Sequence, residues 1–92
     1  MPRIKTKELL DRIAAGNFIS VKVKGVQNGI FHMVLECTDG VFIHENLDGR
    51  MKEYKKADDA LHWLKRKTEA KEVIIDIELW KNDDSLMMLK KR

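Results

Sequence analysis

Two Asp-Gly pairs, Asp39-Gly40 and Asp48-Gly49, punctuate the most apolar part of this 92-residue chain. They constrain its fold more than any other feature. Each falls between short runs rich in aromatic and β-branched residues: 30–37 before the first pair, 41–46 between the two, 50–54 after the second. Glycine accepts the positive φ of a tight hairpin turn, so this punctuation predicts a meander of antiparallel strands. A three-residue turn, Thr38-Asp39-Gly40, sets Cys37 opposite Val41 and Leu35 opposite Ile43. That register is expected because a half-buried sheet needs one consistently apolar face.

The flanking segments complete the expected fold. Thr6 is a candidate N-cap for a helix over 7–15, whose stripe is Leu9, Leu10, Ile13 and Ala14 and whose C-cap is Gly16. Residues 18–24 alternate as a half-buried strand, with Ile19, Val21 and Val23 on the core side. Residues 25–29 then form the first hairpin loop. A second helix is predicted over 57–67, with Asp58 and Asp59 in its first turn and Lys65, Arg66 and Lys67 in its last, complementing the helix dipole. Ala57, Ala60, Leu61 and Leu64 make its inner stripe, with Trp63 at the margin. Residues 73–80 alternate as a last strand with Val73, Ile75, Ile77 and Leu79 inward.

The expectation is therefore an α+β domain of topology α-β-β-β-β-α-β. Its antiparallel five-stranded sheet has order 5-1-2-3-4, with both helices on one face and the last strand antiparallel to the first. The whole chain, 1–92, forms one domain. Residues 1–5 are a basic arm. Residues 81–92 are a polar break followed by a basic amphipathic tail, either a short helix or loose.

Composition narrows the class. At 43% hydrophobic and 36% charged, the chain is globular rather than disordered. The single Cys37 excludes an intrachain disulfide and suits a reducing cytoplasm. No run approaches the ~20 apolar residues of a membrane helix, and nothing resembles a signal peptide. No membrane partner is expected. The net charge of +3 permits contact with nucleic acid or an acidic protein without requiring either.

The sheet face away from the helices carries the functional expectation. In the register above it presents Phe18, Ser20, Lys22, Lys24, Ile30, His32, Val34, Phe42, His44, Lys52, Tyr54, Ile74 and Trp80. Rings interleaved with lysines on an open sheet suit unstacked bases and their phosphates. Two copies packing these faces together, or another protein docking there, would account for them equally well. So would intramolecular cover by residues 86–89. The candidate binding residues are Lys22, Lys24, His32, Phe42, His44, Lys52, Tyr54 and Trp80.

No reaction chemistry emerges. Ser20 and Ser85, the only serines, lie outside any nucleophile turn. Residues 25–29 lack the lysine and following helix of a phosphate loop. His32 and His44 share the expected face but lack further ligands for a metal. No catalytic residue, metal or small-molecule cofactor is expected, and the chain reads as a non-enzyme. Its order of elements, a helix before a meander and a helix after it, is similar to the double-wing DNA-binding domain of a phage transcription activator. It also resembles small inhibitors made by phages and plasmids. The likeness is one of topology and carries no residues over. It implies a small nucleic-acid-binding or regulatory protein of bacterial or mobile-element type. The alternative is a homodimeric interaction module or inhibitor.

Overall fold

A computed structural model describes residues 2–80. The expected helix or tail at 81–92 lies outside the described residues. The elements run β1 (Arg3–Lys5), α1 (Thr6–Ala15), β2 (Ser20–Gly25), β3 (Phe31–Cys37), β4 (Gly40–Glu45), β5 (Glu53–Tyr54), α2 (Ala57–Lys67) and β6 (Ile74–Asp76). The class is α+β, as expected, but the sheet is mixed. Its order is β1-β4-β3-β2-β6, with β5 pairing β3 beyond the end of β4.

Much of the local reading stands. α2 has the bounds its charge pattern marks, and Ala60 and Leu64 are buried on its inner stripe. Thr68 stops it, accepting from the Ala70 N–H at 3.1 Å while its hydroxyl donates to the Leu64 carbonyl at 2.7 Å. Gly16 closes α1 at φ 75, its N–H donating to the Ile13 carbonyl at 3.2 Å. The β2–β3 hairpin turns at Gly29, also at φ 75.

Several expectations are corrected. First, residues 3–5 form an edge strand rather than an arm, parallel to β4 with Ile4 opposite His44. Ile4 is only 2% exposed, and it anchors the strand. Thr6 is the first residue of α1 rather than its cap, and the N-cap position, Lys5, makes no side-chain capping bond.

Second, the β3–β4 turn has two residues, Thr38 and Asp39. Cys37 pairs with Gly40, Glu36 with Val41, Leu35 with Phe42 and Val34 with Ile43. Gly40 takes φ 149, where side chains are strained. This is one residue away from the expected register, so β4 is inverted. Side-chain polarity does not fix the register here, because both parities of β3 and β4 hold apolar residues. Packing decides instead: Phe42 lies under the Arg12 guanidinium at 4.8 Å, and Arg12 donates to Asp39 at 2.9 and 3.3 Å.

Third, β6 runs parallel to β2, Lys22 beside Ile74 and Val23 beside Ile75. The cause is β5. Asp48-Gly49 does make a turn, closed by bonds from the Asn46 N–H to the Arg50 carbonyl at 2.6 Å and from the Lys52 N–H to the His44 carbonyl at 2.9 Å, but this ladder ends around Glu45 and Met51. The chain then rejoins the flank of β3 in the direction of β4, pairing Phe31 with Tyr54 and His32 with Glu53. One reversal fewer than expected leaves the strand after α2 parallel. The two parallel connections, β1-α1-β2 and β5-α2-β6, each use a helix as the crossover, as parallel strands require.

Both helices pack on one face. Leu9, Ile13, Ala60 and Leu64 join Val21, Val23, Phe31, Met33 and Leu35 in one core. Phe18 packs against that core and Ile19 is exposed, the reverse of the expected parity. β6 is shorter than its alternating pattern. Asp76 accepts from the Glu78 N–H at 3.0 Å, and the Trp80 N–H donates to the Ile77 carbonyl at 3.1 Å. This turn lays Trp80 on Phe31, ring centroids 5.7 Å apart. It also leaves Ile75, Ile77 and Leu79 exposed rather than in the core.

A Cβ on Gly25 would lie 2.5 Å from the Cβ of Trp80. Gly25→Ala should therefore overpack this contact and cost about 1–3 kcal/mol, read as a lower urea midpoint with an unchanged slope.

Candidate functional site

The eight candidate residues divide between the two sides of the sheet. Lys22, Lys24 and His32 lie on the face away from the helices, where the pairs Lys22–Val34 and Lys24–His32 place them together. Phe42, His44 and Tyr54 lie on the helix side, because the β4 register and the β5 pairing turn them there. Trp80 joins them by packing on Phe31. The Lys52 ammonium sits 5.6 Å from the centre of the Tyr54 ring.

The open face consequently keeps, of the candidate rings, that of His32. Its middle holds Val34, buried, flanked by half-buried Lys22 and Ile43. Lys22 is held by Glu36 at 3.4 Å, and Ser20 donates to the same carboxylate at 3.4 Å. His32 Nε2 lies 3.9 Å from Glu53, beyond hydrogen-bond range. The face is thus a mixed-charge surface and not a stack of rings between cations.

On the helix side the polar groups form a buried cluster between α1 and α2. His44 is 1% exposed. Its Nε2 shares a hydrogen bond of 2.7 Å with the Thr6 hydroxyl, and its ring lies 5.1 Å from that of Trp63. Nδ1 has no hydrogen-bond partner among the described residues, and neither does the Tyr54 hydroxyl. Burial, aided by the positive charge of Lys52, pulls the His44 pKa down to about 4. Burial pushes the Tyr54 phenol up to about 12. Both groups are therefore neutral at pH 7, as a poorly solvated site demands. His44 and His32 point to opposite sides of the sheet and cannot share an ion. Among the described residues no group of three or more His, Cys, Asp or Glu side chains is placed to hold a metal.

The sequence reading missed a different feature, a run of exposed aliphatic residues along the β6 side. Ile19, Ile74, Ile75, Ile77 and Leu79 are each between 44% and 60% exposed. Beside them an open groove of about 1110 Å³ passes between the start of β2 and the segment leading into β6. Phe18, Ile19, Val73 and Ile74 line it, with Glu69 and Glu72. The alternation at 73–79 held the signal, but it reads equally as a core strand, and only the position at the sheet edge separates the two. Among the described residues no helix is long and apolar enough to cross a membrane.

The chain matches no protein-family model, and neither the curated proteins nor the solved structures contain a match.

The depressed His44 pKa makes a testable statement about stability. As pH falls from 6.5 to about 4 the unfolded chain gains a proton at His44 that the folded chain refuses. The stabilisation that depends on neutral His44 is complete above pH 6.5 and is lost progressively toward pH 4. Between pH 7 and 4 the wild type should lose about 2–3 kcal/mol more than His44→Gln, measured by urea unfolding across that range.

Proposed function

We propose that this protein is a non-enzymatic binding module whose partner is another protein. The observation that carries this reading is the exposed aliphatic run Ile19, Ile74, Ile75, Ile77 and Leu79 beside an open groove. Single exposed apolar residues are ordinary, but five gathered along one side of a sheet, Ile19 and Ile74 among them lining one groove, mark a contact surface. The inward turn of Phe42, Tyr54 and Trp80 supports the same reading, because base stacking needs those rings on the open side. His44 supports a non-catalytic role: it is held by Thr6 beneath Trp63, out of reach of a substrate.

A second reading is contact with nucleic acid, as in regulators of bacterial or mobile-element type. It draws on Lys65, Arg66 and Lys67 at the end of α2. All three are exposed, and none has an acidic partner within 4.0 Å among the described residues. Such a site would be electrostatic and without sequence readout, with affinity falling steeply as salt rises.

Electrophoretic shifts with single-stranded and duplex DNA and RNA at 50 and 200 mM salt separate the two. The expected result is no shift at either concentration. A shift at 50 mM that is lost at 200 mM would overturn the protein-binding reading in favour of the second.

A further inference from the structure

The two edges of the sheet are built differently. β1 is blunted: it follows Pro2 and carries exposed Arg3 and Lys5. Proline and charge are the usual protection of an edge. β6, as short as β1 at three residues, has no proline beside it, and its one charged residue is Asp76. It pairs β2 on one side and no described strand on the other. Its exposed side chains are aliphatic on both faces, Ile74 at 51% and Ile75 at 44%.

The charge around β6 also departs from the rest of the chain. Residues 69–79 contain Glu69, Glu72, Asp76 and Glu78 against the single base Lys71, net −3 in a chain of net +3. None of these four acids has an ion-pair partner within 4.0 Å among the described residues. Glu69 and Glu72 line the groove with Ile19 and Ile74, so acid and aliphatic surface adjoin there.

We propose that β6 is the docking edge for an extended segment of a partner protein, which adds to the sheet as a further strand. Backbone hydrogen bonds to the edge that no described strand occupies provide the attachment, and side chains at alternate positions provide the selection. Aliphatic groups of the segment meet Ile74, Ile75 and Ile77. Lysine or arginine residues meet Glu69, Glu72, Asp76 and Glu78. This inference rests on the reading that the protein binds protein, and it names the edge and the chemistry of the segment.

The same charges argue against a second copy as the occupant. A two-fold axis normal to the sheet pairs β6 with itself in antiparallel fashion and keeps each face on its own side. Centred on Ile74, that pairing sets Glu72 opposite Asp76. Centred on Ile75, it sets Ile74 opposite Asp76 and brings Glu72 of each copy to the turn that carries Glu78 of the other. Like charges directly opposite on paired strands are destabilising, whereas a basic strand relieves the acids already present.

The test uses the isotope-labelled full chain and two ten-residue peptides. Both alternate valine and threonine; one carries a lysine at each end, the other a glutamate. The lysine-ended peptide should shift the amide resonances of Val73, Ile74, Ile75 and Asp76 and slow their hydrogen exchange. It should bind about tenfold tighter than the glutamate-ended one. Glu72→Gln with Glu78→Gln should erase most of that preference. Ile75→Lys should abolish binding at an unchanged Tm, since the side chain is already exposed. Equal binding of the two peptides, shifts confined to other strands, or no response to either at millimolar concentration would overturn the strand-addition site. So would sedimentation showing a dimer that Ile75→Lys dissociates. Each of those results leaves the broader protein-binding reading standing, because that reading falls only to a salt-sensitive nucleic-acid shift.

Discussion

The structure depends on how β4 is set against β3, and that setting is held by a two-residue turn docked onto α1. Arg12 reaches from α1 to both carboxylate oxygens of Asp39 in the turn, and to Glu8 one helical turn earlier at 3.2 Å. The guanidinium holds the Asp39 carboxyl below its ordinary pKa, and the carboxylate in turn raises the guanidinium's. Exposed pairs of this kind contribute little energy alone. Their role here is geometric, because the same guanidinium caps the ring of Phe42. Moving β4 by one residue would expel Phe42 and His44 from the helix side and bring Val41 and Ile43 inward.

That setting propagates outward. With His44 turned in, its imidazole meets Thr6 at the start of α1 and Trp63 on α2, so one polar side chain touches both helices. Beside it, Ile4 on β1 is buried. The excursion through Asp48-Gly49 then returns the chain to the edge of β3 in the direction of β4. β3 is left antiparallel to all three of its neighbours, β2, β4 and β5. α1 and α2 cover the same face of the sheet, and its two ends are left unequal: a cationic edge at β1 and an aliphatic, acid-flanked edge at β6.

The sequence revealed those parts of the fold that local chemistry decides. The bounds of α2 follow from its flanking acids and bases, the end of α1 from Gly16, and the first hairpin from Gly29. The length of the second turn was not legible. Asp39-Gly40 accommodates either a two- or a three-residue turn, and both parities of β3 and β4 offer apolar side chains. β1 gave no pattern, since a lone isoleucine between Arg3 and Lys5 has no period. The direction of β6 depended on whether residues 50–54 form a full reversed strand, and two of them pair with β3 instead. The candidate site suffered most from the register. Lys22, Lys24 and His32 fall on the expected face, while Phe42, His44, Tyr54 and Trp80 serve the core side. The β6 edge was hidden for a related reason: alternation reports which residues could be buried, and only topology tells whether anything lies against them.

The proposed protein partner at β6 rests on the aromatic residues being occupied elsewhere, so the functional reading and the hairpin register stand together. The most direct measurement is a set of nuclear Overhauser contacts across the β3–β4 hairpin in the isotope-labelled chain. Backbone contacts joining Leu35 to Phe42, flanked by Val34 to Ile43 and Glu36 to Val41, are the predicted result. Contacts joining Leu35 to Ile43 and Cys37 to Val41 would contradict it, and would return Phe42 and His44 to the open face.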